Sequence, residues 1–183
     1  MNRGYHEIKE HGKREFPFNI YPCSIPVDFS HVALHWHEEM EIIAVKKGKG
    51  RITVDTVSYP VEEGDILAVF PGQLHAISCG NGERMEYENI IFRLSMLMGD
   101  NGDGCTVHFL KPLQEGQAKN PVLIQRNQPD HDVFGKVIQE LDRFSEIRGN
   151  GYQLAVKGQL FLFLYYAYGR GILFTEKKPG HAR

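Results

Sequence analysis

What this chain lacks narrows its possible roles before any motif is considered. It has only three cysteines in 183 residues, Cys23, Cys79 and Cys105. They are odd in number, widely spaced and form no C-x-x-C pair, which is the usage of reduced thiols in a cytosolic protein rather than of a disulfide framework. It lacks a basic surplus: the net charge is −2 and the sequence pI is about 6.5. A domain that grips nucleic acid by its phosphates is normally basic, so direct DNA contact by these residues is not expected. Met1 to Phe16 is polar and charged, with no apolar stretch of the kind a secretory signal needs. The longest apolar run, near Leu160 to Tyr168, is too short and too interrupted for a membrane span. These absences predict a soluble cytoplasmic domain, and the length suits one domain or one with a small appendage.

What is present is mostly β-like. Short apolar runs predict strands at Phe18–Cys23, Val32–His37, Glu41–Lys47, Arg51–Val54, Val57–Val61, Ile66–Phe70, His75–Ser78 and Tyr87–Leu94. Turn chemistry separates them: Lys47-Gly48-Lys49-Gly50, Asp55-Thr56, Glu63-Gly64-Asp65, Pro71-Gly72 and Gly80-Asn81-Gly82. Strands of this length and spacing predict a double-sheet jelly roll or small barrel. After Asp100 the character changes, with an irregular stretch and one short strand expected around Val107. Val133, Phe134, Val137, Ile138, Leu141 and Phe144 then recur at helical spacing, and Gly149-Asn150-Gly151 breaks that helix. A second helix follows from Tyr152 to about Tyr168, and so short a connection predicts an antiparallel pair. The expected organisation is a mobile arm over 1–15, a barrel over 16–115, a connecting segment and helical hairpin over 116–170, and a linker-like tail over 171–183.

The chemistry concentrates in His35-Trp36-His37, Glu41 and Pro71-Gly72-Gln73-Leu74-His75. On an extended strand His35, His37 and Glu41 share a parity and project to one side, while Trp36 falls out of phase. His75, from another strand, would complete a 3-His/1-carboxylate set able to hold Zn, Fe, Mn or Ni. An isolated H-x-H is more often a surface or satisfied core pair. Glu41 in phase and the second segment argue for a common internal cavity, occupied by metal or not. His37 to Glu41 would also pass for a helix start, but Glu41 stands where the zinc-protease helix has its second His.

The segments HWHEEMEIIAVKKG and GDILAVFPGQLH resemble the two cupin motifs. There are departures: Phe29 stands where the first motif begins with Gly, Gly64 to Pro71 is one residue longer than the enzyme pattern, and Cys79 replaces the trailing Asn. With YENIIFRL and a helical hairpin following, nearly the whole chain resembles the N-terminal half of an AraC-type transcription regulator. The resemblance implies a mainly β cupin/jelly-roll barrel followed by a C-terminal antiparallel α-helix pair. It implies a small-molecule effector, often a sugar or related metabolite, and a homodimer. DNA would be read only by a further C-terminal half with two helix-turn-helix units. Carried over by position, the pocket would comprise His35, His37, Glu41, Lys47 (in phase with Glu41), His75, Ile77, Tyr87 and Asn89, with no catalytic residue. Tyr5 and His6 on the arm are candidates to close over it. Leu154, Leu160, Phe161, Leu164 and Tyr165 on the second helix would serve dimerisation.

Three functions remain open on the sequence. The first is the sensing and dimerising module of a regulator, which is not an enzyme. The second is a small cupin metalloenzyme of dioxygenase or sugar isomerase type, with His35, His37, Glu41 and His75 on the metal. The third is a structural cupin whose interior is filled by its own side chains.

Overall fold

The computed structural model describes residues 3–9 and 11–174. Among the described residues eight strands form: β1 (Phe18–Ile25), β2 (Val32–His35), β3 (Met40–Val54), β4 (Val57–Glu62), β5 (Ile66–Val69), β6 (His75–Ser78), β7 (Met85–Phe92) and β8 (Val122–Ile124). The helices are α1 (Lys111–Gln114), α2 (His131–Ile147) and α3 (Tyr152–Gly169). All strand pairs are antiparallel. One layer runs β1-β7-β3-β5-β8, and a second runs β2-β6-β3-β4. The first half of β3 lies in one layer and the second half in the other.

The alternation along β3 sorts its side chains between two cores. Ile43 and Val45 face the space between the layers with Ile25, Ile52, Val54, Val61, Leu67, Val69, Ile77, Met85 and Tyr87. Ile42 and Ala44 face the other way, joining Phe70, Ile90 and Phe92 beneath Phe134, Leu141, Leu160 and Phe163 of the helices. The central layer is therefore buried on both faces, which is why β5 reads as an unbroken apolar run.

Four expectations change. Lys47-Gly48-Lys49-Gly50 is no turn between two strands; β3 runs through it and changes layer there. Gly48 has φ +78°, and a Cβ on it would collide with the Arg84 carbonyl oxygen. Second, no strand forms around Val107: Thr106–Leu110 is a π-helical turn leading into α1. Asp103 initiates it, its carboxylate accepting from the Thr106 N–H at 2.8 Å and hydroxyl at 2.7 Å. The irregular stretch that follows holds β8, which pairs with β5. Third, the arm is docked rather than free. Glu7 N–H donates to the Trp36 carbonyl and Trp36 N–H to the Tyr5 carbonyl, both at 2.9 Å, and the His6 ring stacks on Trp36 at 4.2 Å.

The fourth change concerns α3. α2 and α3 do form the antiparallel pair, joined where Arg148 and Gly151 take positive φ. Leu160 and Leu164, however, are buried in this chain's own core, and only Leu164 reaches the surface, as part of the wall of a groove. The exposed apolar stripe is Leu154 (77% exposed), Phe161, Leu162 and Tyr165 (72%). No helix among the described residues is long and apolar enough to cross a membrane. The tail from 175 onward lies outside the described residues.

Replacing Gly48 with alanine combines left-handed backbone strain of about 1–3 kcal/mol with a backbone collision. The expected result is a clear drop in the urea midpoint of Gly48→Ala, whereas Gly82→Ala, which has positive φ but open space around it, loses less.

Candidate functional site

The imidazoles and the carboxylate come together, but not along one strand. His35 ends β2, His37 lies in the following loop, Glu41 is the second residue of β3 and His75 opens β6. The shared parity expected from 35 to 41 is thus broken, and the loop delivers His37 instead. His35 stands opposite His75 in the β2–β6 pairing, with their ring centroids 4.2 Å apart. His37 and His75 meet edge-on at 5.0 Å. One ligand atom from each of His35, His37, Glu41 and His75 lies within 4.8 Å of all the others.

Each imidazole is held from behind. His35 Nδ1 is 2.8 Å from the Ala33 carbonyl oxygen, His37 Nδ1 is 3.0 Å from that of Glu39, and His75 Nδ1 is 3.0 Å from that of Gln73. A carbonyl only accepts, so each Nδ1 carries the proton and donates it, leaving Nε2 as the lone-pair nitrogen of the neutral ring. This is the backing that metal-ligating histidines characteristically have. Gln73 is itself fixed, its side-chain oxygen accepting from the Phe70 N–H at 2.8 Å.

Glu41 is 1% exposed and His75 0%. The Glu41 Oε2 lies 2.9 Å from His37 Nε2 and 3.1 Å from His75 Nε2. Lone pairs would face each other across these gaps unless a proton or a cation sat between them. In the protein without metal, His37 supplies the proton of its own gap. Burial alone would lower its pKa, but the hydrogen bond and charge of Glu41, aided by the charges of Glu39 and Glu7, raise it. Burial pushes the Glu41 carboxyl upward, yet hydrogen bonds from His37 and His75 hold it well below the usual carboxylate range. Burial and the neighbouring His75 lower the His35 pKa. Metal bonds of about 2.1 Å place neighbouring ligand atoms about 3 Å apart in an octahedral shell, so the spacing around Glu41 fits a divalent ion as well as it fits the proton.

The other expected pocket residues separate. Tyr87 and Ile77 are buried between the layers. Asn89 lies on the same side of β7 as Tyr87, paired across from Ile43 and Tyr21. Its Oδ1 and Glu41 Oε1 are buried with no hydrogen-bond partner among the described residues, while the Tyr87 hydroxyl interacts with the Cys23 thiol. Lys47 does not join them: a bulge between Val45 and Lys47 shifts the register, and its side chain is exposed. Below the cluster, Ile43, Ile52, Leu67 and Ile77 fill the barrel. The expectation that Tyr5 and His6 close the site shifts by a few residues: they grip Trp36, and Glu7 and His11 reach inward. Glu7 Oε2 is 3.6 Å from His35 Nε2, and His11 Nδ1 is 3.2 Å from the Tyr21 hydroxyl. Nothing in the sequence spacing ties these arm residues to positions 35–75.

Over residues 26–164 the sequence matches the family described as AraC-like ligand binding domain. The chain belongs to that family. A curated relative, an uncharacterized HTH-type transcriptional regulator named YdeC of Bacillus subtilis (strain 168), is 27% identical over 88 residues, which is 48% of this chain and 30% of the regulator. The chain thus spans less than a third of that relative's length. Among solved structures, a cupin 2 conserved barrel domain protein from Salinispora arenicola is similar at 22% identity and TM-score 0.40, covering 44% of this chain and 66% of that one. A predicted oxalate decarboxylase from Thermotoga maritima is similar at 25% identity and TM-score 0.38, covering 40% and 64%. The fold of this AraC-like domain is a cupin barrel followed by two helices.

The His37–Glu41 pair has a defined pH signature in metal-free protein. His37, with its folded pKa above the ordinary 6.5, gives stability that is full below that value and is lost as pH rises through the folded pKa. Glu41, with its folded pKa below 4.5, gives stability present above 4.5 and lost as pH falls through the folded value. Urea unfolding with chelator present is therefore expected to weaken as pH rises above 6.5 and through the raised His37 pKa, and Glu41→Gln should flatten that slope.

Proposed function

We propose that this domain senses a small hydroxylated molecule, a sugar or related metabolite, and dimerises as part of a transcription regulator whose DNA-reading half lies in another domain. The observation that carries the proposal is the pair of buried polar atoms without partners among the described residues in a domain of a ligand-binding family: Glu41 Oε1 and Asn89 Oδ1. Leaving a buried polar group unpaired costs about 1–3 kcal/mol, and a ligand offering hydroxyl groups relieves that cost. Ligand at about 100 times its Kd adds about 2.7 kcal/mol of stability. A thermal-shift survey of monosaccharides and related polyols should find a stabilising ligand in the wild type, and Asn89→Leu should abolish the shift. If no such compound stabilises the protein and Asn89→Leu only strengthens the fold, the interior is a filled core and the sensing proposal fails.

Dimerisation rests on the exposed stripe of α3. Leu154, Phe161 and Tyr165 recur along one face, and Phe109 is exposed beside them. An almost wholly apolar groove of about 270 Å³, lined by Phe109, Phe161, Leu164, Tyr165 and Tyr168, adjoins that face. Contiguous apolar surface of this kind marks an interaction site. The regulatory mechanism is a shift between two arrangements of the domain, limited by the effector's differential affinity for them. In sedimentation experiments Tyr165→Asp is expected to give folded monomer, while Leu160→Ala costs about 2–5 kcal/mol of stability through its cavity. A wild-type chain that stays monomeric at high micromolar concentration refutes this part.

One observation favours a second reading, that the barrel holds a divalent metal (Zn, Fe, Mn or Ni), as a regulator or as a cupin enzyme. It is the triple Nδ1 backing of His35, His37 and His75. When bound, such an ion would supply Lewis acidity, while His35, His37, Glu41 and His75 would hold it. Untagged protein should then carry close to one equivalent of metal, lost in His75→Ala. Trace metal that does not respond to His75→Ala eliminates this reading.

A further inference from the structure

The arm places two groups over the histidine cluster that neither the cupin pattern nor the β-strands account for. Tyr5 and Glu7 exchange backbone hydrogen bonds with Trp36, and His6 stacks on its indole. This short parallel bridge fixes Glu7 beside His35, the residue preceding Trp36. The Glu7 carboxylate then lies 3.6 Å from His35 Nε2 and 3.8 Å from His11 Nε2. His11 is 5% exposed, and its Nε2 is buried with no hydrogen-bond partner among the described residues. Its other nitrogen is engaged with Tyr21, and its ring lies 6.2 Å from that of His37.

His35 is the member of the cluster that Glu41 does not engage. Its Nδ1 is committed to Ala33, so its free Nε2 looks out between the cluster and the Glu7 oxygen. Glu7 stands outside the group of four ligand atoms, at its His35 edge, with its carboxylate 3.6 Å from the nitrogen that His35 would turn to a cation. An anion held there adds charge stabilisation at a partly buried position, the Glu7 side chain being 30% exposed, and it is a hard oxygen donor suited to a divalent transition ion.

We infer that Glu7 is a fifth metal-binding residue, contributed by the N-terminal arm with His11 as its buried neighbour, so that a divalent transition-metal ion in the barrel and the docked arm bind each other. The inference rests on the metal reading given above. Because the coupling is a free energy shared by two binding events, it must act in both directions. Metal holds the arm down, and loosening the arm weakens the metal.

The test uses Zn(II) on the full chain, with limited trypsin cleavage after the exposed arm residues Lys9 and Lys13 as one readout and zinc affinity by competition titration as the other. Cleavage elsewhere in the chain serves as the internal reference. Saturating zinc is expected to slow arm cleavage about fivefold or more in the wild type. Glu7→Gln should abolish the slowing and weaken zinc about tenfold. Trp36→Ala, which removes the His6 stacking but keeps the backbone bridge and touches no ligand, should weaken zinc by no more than the factor by which zinc slows wild-type cleavage. Zinc that binds tightly while arm cleavage and the Glu7→Gln affinity stay unchanged overturns the inference and leaves the metal reading intact. A wild-type chain that binds no zinc, cobalt or nickel overturns both.

Discussion

A carboxylate that is 1% exposed is tolerable only if its charge is answered within a few ångströms, and Glu41 is answered by two imidazoles from different parts of the chain. Removing either partner would leave a buried charge short of a counterpart, which is far more costly than the pair is stabilising. This requirement ties the start of β3 to the loop after β2 and to the start of β6. It also makes the mouth of the barrel polar while Ile43, Ile52, Leu67 and Ile77 fill its depth. A proton now, or a metal ion in its place, satisfies the same geometry.

The remaining architecture supplies rigidity for that mouth. β3 is shared by both layers because Gly48 permits a bend that a side chain would block. The layer carrying Glu41 is backed by α2 and α3 through Ile42, Ala44, Phe134 and Phe163. Beside that packing, Lys46 bridges Glu88 on β7 and Asp142 on α2. Contacts made at the mouth and contacts made on the helices therefore bear on one shared layer of strands. That is the physical basis on which a ligand in the barrel and a partner on α3 would influence each other.

Much of this was legible in the residue order. Alternation exposed most of the strands, the helical period of Val133 to Phe144 exposed α2, and the motif spacing brought His35, His37, Glu41 and His75 to one place. Some local signals misled. Lys47-Gly48-Lys49-Gly50 has turn composition but serves as a bend within β3. The bulge at its start carried Lys47 out of phase with Glu41. The apolar residues of α3 cannot be sorted by composition into those facing home and those facing outward. Leu160 and Leu164 went inward, Leu154 and Tyr165 outward.

By itself the sequence pointed to the strands and the helix pair through periodicities of two to four residues, and to the cupin barrel and its convergent imidazoles through the resemblance of two segments to the cupin motifs. Only the tertiary structure decided the rest. Which imidazole nitrogens are free depends on backbone carbonyls at 33, 39 and 73, whose directions no residue type encodes. That Glu7 and His11 lie beside the site depends on an arm folded back onto Trp36. Neither fact has a local pattern, since both arise from groups brought together by the closing of the fold rather than by their order along the chain.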